Sequence, residues 1–328
     1  MHFSDGIDAQ PVALADSRSR VLDGLRLLPV VAPGRVVALV GIGASEHAAR
    51  GAAQEWRAAG LRAFALSATE ITVGGAPAAD VYVAISESGR STETIEAVEL
   101  VGGDRAVAVI NDADSPLATA CSAVLDLGSG PDSPIYTTGY TATLQALGLL
   151  GEHWSRGATD WSTLPGLARR VLDECREPAE RLAPLLDDAR VVDVVASGVS
   201  AATLGEGALL LRESARLLTA AHETRNYLHG PMEPLGPSVA CLVIGNGREI
   251  RLARDTAALG CPTVLVTTDP DVASEGPLTV LRLPRAGSAL GQAVLEILPL
   301  QLMAWAVARR RGLSVDGFRY QQEDTKSR

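Results

Sequence analysis

Residues 80–103 read DVYVAISESGRSTETIEAVELVGG, and this stretch decides the fold. Its first part, residues 80–86, is apolar almost without alternation, which is typical of a strand covered on both faces in a parallel sheet. Its last part, residues 91–103, has the pattern of a helix and ends on two glycines, which suit a helix C-terminus. The stretch therefore predicts a strand, a polar turn and a helix, the repeating unit of a parallel sheet.

The same alternation of strand and helix recurs along the whole chain. In the first half we predict further strands at residues 35–43, 62–67, 105–111 and 122–128, and a helix at 45–60. In the second half we predict strands at residues 189–198, 239–247, 261–269 and 278–284, with helices at 163–188, 200–218 and 288–311. The lead strands of both halves open into a turn with glycine and serine, GIGAS and ASGVS. An internal duplication explains this repetition.

We therefore predict an α/β fold with two tandem domains, each a doubly wound, flavodoxin-like parallel sheet flanked by helices. The expected boundaries are residues 1–160 for the first domain, which would hold the ligand site, and residues 161–312 for the second. Residues 313–328 form a polar tail that we expect to close over the active site.

Composition narrows the functional classes. The chain has 328 residues, 47% hydrophobic and 21% charged, with a net charge of −10. Such a charge argues against nucleic acid and anionic membranes as partners. No apolar run reaches the roughly 20 residues of a membrane helix, and the first residues lack the pattern of a signal peptide. Four separated cysteines without a CxxC pair indicate free thiols, so we expect a cytoplasmic protein. We expect neither a metal nor a cofactor.

The polar turn at residues 86–94 predicts a phosphate site. The hydroxyls of Ser86, Ser88, Ser91 and Thr92 surround Gly89 at the carboxyl end of a predicted strand. Ligands bind beyond these strand ends in doubly wound sheets, and a helix N-terminus offers free N–H groups and positive partial charge. The alternative is that these side chains only cap the helix. We expect Arg90 to be able to pair with a bound phosphate and Glu87 to point away from it.

Several motifs together resemble a known family. SESGRSTET is similar to the signature loop of SIS (sugar isomerase) domains, and GIGASEHAARGAAQEW and GPDSPIYTTGYTATLQAL are similar to two other family stretches. The segment EGALLLRESARLLTAAHETRNYLHGP is similar to the isomerase half of glucosamine-6-phosphate synthase in residue type and spacing. The chain thus resembles double-SIS proteins, including glucosamine-6-phosphate deaminases and fructosamine deglycases.

The resemblance implies a sugar phosphate as substrate. It implies that Ser86, Ser88 and Ser91 hold the phosphate. Gly89, which permits close approach of the backbone, and Thr94 are further candidates for binding the substrate or its phosphate. It further implies that Ser45 and Thr137 contact the sugar, whereas Ala44 replaces a usual threonine. The second domain has GNGREI where a second signature loop would stand, so one sugar site per chain is expected.

The resemblance also implies the acid–base groups. Glu213 matches the catalytic glutamate, and a carboxylate can move a proton between adjacent carbons. Without the resemblance, an exposed ion pair of Glu213 with Arg216 would be favoured. Glu206 lies seven residues earlier, on roughly the same helix face. His229 matches a histidine that opens the sugar ring in the site of a neighbouring subunit, which implies a homodimer.

Lys326 is the only lysine in the chain. Related enzymes that form a Schiff base carry a lysine in the tail, but Glu323 stands where it would align. We therefore weigh two hypotheses, that Lys326 supplies the amine and that it is an idle tail residue.

These features favour an enzyme, a phosphosugar isomerase or deaminase acting on a hexose or amino-sugar 6-phosphate of the glucosamine-6-phosphate or fructose-6-phosphate type. The chain starts Met1-His2-Phe3 without an N-terminal cysteine nucleophile, so we expect no glutaminase activity. The alternatives are a fructosamine-6-phosphate deglycase and a non-catalytic sugar-phosphate sensor.

Overall fold

The structure is a computed structural model that describes residues 1–75, 79–320, 322 and 324–327. Within these residues it has two parallel sheets of five strands each. The first sheet comprises β1 (Val36–Gly41), β2 (Arg62–Ser67), β3 (Val81–Ile85), β4 (Ala106–Ile110) and β5 (Ala123–Asp126). The second comprises β6 (Val191–Ala196), β7 (Thr219–Glu223), β8 (Val239–Ile244), β9 (Thr263–Thr267) and β10 (Leu278–Arg282).

Both sheets have the same topology. The first has the order β2-β1-β3-β4-β5, and the second has the order β10-β9-β8-β6-β7, which is the same arrangement read from the other edge. The predicted fold class, two doubly wound parallel sheets flanked by helices, is thus confirmed. In such an order the second strand is added on one side of the first strand and the third strand on the other, and the crevice between the first and third strands is the usual ligand site. In the first sheet this crevice lies where β1 and β3 end.

Helices cover the two sheets. They are α1 (Phe3–Leu25), α2 (Ala44–Ala58), α3 (Ala68–Gly74), α4 (Thr92–Val101), α5 (Pro116–Ala120), α6 (Thr138–Ser155), α7 (Leu164–Asp187), α8 (Ala201–Ala215), α9 (Thr224–Tyr227), α10 (Arg248–Ala258) and α11 (Ala289–Arg310). The predicted helices 45–60, 91–103, 163–188 and 288–311 correspond closely to α2, α4, α7 and α11.

The helix predicted at residues 200–218 is shorter in the structure. Helix α8 ends at Ala215, because Arg216 adopts a left-handed conformation with φ of 53°. The following residues form the edge strand β7, which pairs with β6. The sequence did not predict this strand, since its residues are too polar for a buried strand.

The close contact of α2 with α8 brings elements of the two halves together. A Cβ atom on Gly51 of α2 would lie 2.7 Å from the Cβ of Ala202 on α8. Only glycine permits this approach without a shift of one helix. As a result, the carboxylates of α8 are placed next to the strand ends of the first sheet.

Helix α11 is a core element. The sequence predicts no membrane helix, because no apolar run is long enough, but by length and composition alone α11 could cross a membrane. However, 89% of its most apolar window is buried within the protein. The buried helix packs against α7 and α8. Its apolar character is therefore explained by the core.

Candidate functional site

A cavity of about 330 Å³ lies at the switch point of the first sheet. Five chain segments converge on it: the loop after β1, the loop after β3, the segment before α6, one face of α8 and the tail. The lining residues are Ile42, Gly43, Ala44, Ser45, Glu87, Ser91, Glu93, Pro134, Tyr136, Glu206, Leu209, Glu213, Phe318, Thr325 and Lys326. The cavity thus joins groups from both halves of the chain.

The loop after β3 brings its serines together. The Ser86 hydroxyl donates to Ser91 Oγ at 3.1 Å, and the Ser91 N–H approaches Ser86 Oγ at 3.5 Å. Ser91 precedes the first residue of α4, so the hydroxyls stand at a helix N-terminus. This is the arrangement that suits an oxyanion.

Gly89 closes the turn of this loop. Its φ is +63°, and its N–H donates to Ser86 O at 2.8 Å, which closes the turn. A Cβ atom there would lie 2.0 Å from Ser115 Oγ. Ser115 therefore occupies the side of Gly89 on which a Cβ atom would stand.

The tail runs alongside this loop. Ser327 N–H donates to Arg90 O at 2.8 Å, and Thr92 N–H donates to Thr325 O at 3.4 Å, so residues 325–327 lie antiparallel to residues 90–92. Glu323, which stands at the position expected for a Schiff-base lysine, lies outside the described residues.

The tail contact carries the only lysine into the cavity. The Lys326 ammonium donates to Ser88 Oγ at 3.0 Å and lies 3.5 Å from both Ser91 Oγ and the Tyr136 hydroxyl. Burial lowers the pKa of Lys326, while the nearby charges of Glu87 and Glu93 oppose this shift. A lowered pKa increases the fraction of free amine near neutral pH.

Two carboxyl groups of α8 face the cavity. Burial raises the pKa of Glu213 to about 7. Burial also raises the pKa of Glu206, and the charges of Glu213 and Asp132 raise it further. Glu206 Oε2 is fully buried without a hydrogen-bond partner among the described residues. Two turns of α8, about 10 Å, separate the two residues along the helix axis.

The ion pair of Glu213 with Arg216 is absent from the part of the chain that the structure describes. Arg216 is exposed at the end of α8. Glu213 is partly buried, and with a pKa of about 7 its protonated and ionised forms are both populated near pH 7. This suits a group that both takes and returns a proton.

Glu87 lies in the cavity rather than pointing away from it. The Asn111 side chain donates to Glu87 Oε1 at 3.0 Å. Burial raises the pKa of Glu87, and the charge of Asp132 raises it further. Arg90 pairs with Asp112 at 3.2 Å, so its guanidinium already has an acidic partner.

The remaining predicted residues are placed as follows. Ser45 lines the cavity. Thr94 and Thr137 are fully buried and do not line it, and the Thr137 hydroxyl donates to Asp132 Oδ1 at 2.6 Å. His229 is exposed and does not line the cavity. Its backbone N–H donates to Asn226 O at 3.0 Å.

Two residues of the site were missed from the sequence. Asp132 accepts hydrogen bonds from the N–H groups of Thr137 and Gly139, which fixes the start of α6. Tyr136 then faces Lys326 across the cavity. Both lie in the irregular segment GPDSPIYTTG, whose aspartate before a turn and single tyrosine were the only available signals.

Comparison with known proteins finds relatives among the isomerising glutamine–fructose-6-phosphate aminotransferases. The chain is 28% identical over 263 residues to the enzyme of Pyrobaculum aerophilum, covering 72% of this chain and 42% of the relative. It is 27% identical over 339 residues to the enzyme of Aeropyrum pernix, covering 94% of this chain and 54% of the relative. The chain thus spans about half the length of these curated relatives. No protein-family model matches it.

Solved structures share the fold over nearly the whole chain. One is the C-terminal domain of glucosamine-fructose-6-phosphate aminotransferase from Francisella tularensis, with a TM-score of 0.83, 19% identity and coverage of 97% of this chain and 98% of that domain. Another is glucosamine-6-phosphate deaminase from Thermotoga maritima, with a TM-score of 0.82, 20% identity and 98% coverage of both chains. The chain is therefore similar in sequence and in fold to proteins of phosphosugar metabolism, in line with its resemblance to SIS domains.

Proposed function

We propose that the chain is a phosphosugar isomerase or deaminase that acts on a hexose or amino-sugar 6-phosphate by aldose–ketose chemistry. The observation that carries this proposal is Glu213, a partly buried acid with a pKa of about 7, which lines the same cavity as Ser91 of the hydroxyl loop and the Lys326 amine. Ser86 and Ser88 do not line the cavity, but they contact Ser91 and Lys326. The relatives and the neighbours in fold, named above for such substrates, support it.

The phosphate would bind at the N-terminus of α4. Ser86, Ser88 and Ser91 offer hydroxyl donors there, and the Lys326 ammonium lies among them. A dianion so placed would be held by a positive charge, a helix dipole and several hydrogen bonds. The sugar carbons would then extend towards α8.

Glu213 would perform the proton transfer. In its ionised form it removes the proton from the carbon next to the carbonyl, and in its acid form it delivers a proton to the neighbouring carbon. A pKa near 7 keeps both forms available at neutral pH. Opening of the sugar ring would fall to His229 of a second subunit, which requires a homodimer, because the exposed His229 lies outside its own chain's cavity lining.

Lys326 allows two roles. As an ammonium it is a cation for the phosphate; as a free amine it forms an imine with the substrate's carbonyl carbon, with loss of water, and so supports deamination. Lys326→Arg separates them, since arginine keeps the charge but forms no imine. Retained turnover in this variant indicates the cation role, whereas loss of turnover with retained phosphate binding indicates the imine.

Borohydride trapping provides a direct test of the imine. Apart from the N-terminus, Lys326 carries the only primary amine in the chain, so a reduced adduct with substrate must map to one of two places. An adduct absent from the tail peptide rules out the imine role.

The test of the whole proposal is a turnover screen with glucosamine 6-phosphate, fructose 6-phosphate plus ammonia, and a fructosamine 6-phosphate. Glu213→Gln should lower the rate by about 10²- to 10⁴-fold while substrate binding persists. Glu96→Gln, which changes an exposed carboxylate of α4, is the matched control. Turnover of the third substrate alone would make the protein a deglycase. Binding without turnover of any substrate would make it a sensor.

A further inference from the structure

A second cleft lies between α1, the C-terminal end of α6 and the segment that follows. It has a volume of about 370 Å³. Its lining includes Arg18, Arg26, Glu152 and Trp161. None of these residues belongs to the candidate active site, which lies at the opposite end of α6. The 18 residues of α6 span about 27 Å.

Two N–H donors of this cleft's residues have no acceptor. Arg18 Nε and Trp161 Nε1 are both fully buried and find no hydrogen-bond partner in the described part of the chain. Trp161 as a whole is 3% exposed. A buried donor without an acceptor is costly, so two of them on one cleft point to a missing acceptor.

The other charged groups of the cleft have partners other than Arg18. Arg26 already pairs with Asp23 at 2.8 Å, and Glu152 accepts the N–H of Thr159 at 3.2 Å. Among the described residues, Arg18 makes no ion pair. Arg18 Nε and the Trp161 indole N–H thus belong to residues of one cleft, and neither has a bonded acceptor in the described part of the chain.

Asp160, an acid on which the charge of Arg18 acts, is hydrogen-bonded elsewhere. The Asp160 carboxylate accepts the Ser162 N–H at 2.9 Å and the Ser162 hydroxyl at 2.6 Å. These bonds, more than the charge of Arg18, lower the pKa of Asp160. Asp160 thus does not supply the acceptor that Arg18 and Trp161 lack.

We propose that this cleft is a binding site for a small oxyanion, a carboxylate or a phosphate group, held by the Arg18 guanidinium and the Trp161 indole N–H. Arginine presents a planar set of donors that matches both anions, and the indole adds one directed donor. The cleft volume accommodates a small metabolite rather than an ion alone. The site is independent of the proposed reaction and of its substrate.

The test follows the indole N–H of Trp161 by NMR during titration of the full chain with inorganic phosphate and, separately, with malonate. The chain has four tryptophans, and the resonance missing in Trp161→Phe identifies the one at the cleft. In the wild type this resonance should shift and saturate with either anion. Arg18→Gln should weaken the binding about tenfold to a hundredfold, as expected for a bond to a charged group.

Arg26→Gln is the matched control, because this arginine lines the same cleft but already has a carboxylate partner. It should change the affinity far less than Arg18→Gln. Unshifted resonances of the other tryptophans in Arg18→Gln show that the variant is folded. The proposal is overturned if the Trp161 resonance does not respond to tens of millimolar of either anion, or if it responds equally in Arg18→Gln. Such a result would mean that water alone fills the cleft.

Discussion

The pKa of Glu213 has a consequence for stability that can be measured without any substrate. Burial raises this pKa from 4.5 to about 7. Well below pH 4.5 the carboxyl is protonated in both the folded and the unfolded chain, so its raised pKa does not change the free energy of unfolding. As the pH rises towards 7, the unfolded chain releases its proton first, and the folded state loses stability.

The size of the effect follows from the shift. One pKa unit corresponds to about 1.4 kcal/mol, so above pH 7 the folded state carries a penalty of about 3 kcal/mol for holding the ionised group. Glu213→Gln removes the ionisation and keeps the shape of the neutral acid. The free energy of unfolding of the variant should thus exceed that of the wild type by about 3 kcal/mol at about pH 8, and by much less at about pH 5.

Urea unfolding followed by far-UV circular dichroism at both pH values measures this difference. The control Glu96→Gln should change the free energy of unfolding by less than about 0.5 kcal/mol at either pH. A stability gain of Glu213→Gln that is equal at both pH values, or absent, refutes the reasoning that burial raises this pKa. In the wild type, the same group predicts that kcat/KM rises with pH through a midpoint near 7, because the ionised form starts the proton transfer.

Two further substitutions test the framework of the site. Gly89→Ala should destabilise the protein by about 3 kcal/mol, because alanine there combines a left-handed φ with a clash against Ser115. The control Gly60→Ala has a left-handed φ but open space around it, and it should cost about 1–2 kcal/mol. Equal losses of stability in thermal unfolding would show that the clash with Ser115 contributes nothing. Tyr227→Phe should lower the free energy of unfolding by about 1–3 kcal/mol, because it removes a 2.7 Å hydrogen bond to the buried carboxylate of Asp193. The control Tyr320→Phe changes an exposed side chain and should be neutral. A neutral Tyr227→Phe would show that water replaces the hydroxyl.

The sheets could be predicted because their strands are continuous apolar runs. A strand such as β8 is buried at every residue, and only a parallel sheet covered on both faces requires this pattern. Helix α1 was not predicted, since Gly6 and Pro11 interrupt its pattern. Its proline is tolerated in the structure because the helix packs against α6 and α7, and such tertiary contacts are invisible in a local reading.

The candidate site could be predicted only in part, for a related reason. The hydroxyl loop has a local signature, so its position at a strand end followed from the sequence. The contacts of Glu87 and Tyr136 depend on how an irregular segment folds over the strand ends. No period or spacing encodes that folding.

The two halves also differ in a way that explains why one cavity combines residues from both. At the corresponding strand ends of the second sheet, the Ser197 hydroxyl donates to Glu249 Oε1 at 2.8 Å, and Glu249 is only 6% exposed. The buried Glu249 carboxylate occupies the Ser197 hydroxyl and brings no positive charge. These strand ends therefore suit a phosphate poorly. The second half contributes α8 instead, and the contact at Gly51 sets that helix against the first sheet. The second half therefore contributes Glu213 without a hydroxyl cluster of its own, because its helix α8 forms a wall of the cavity in the first half.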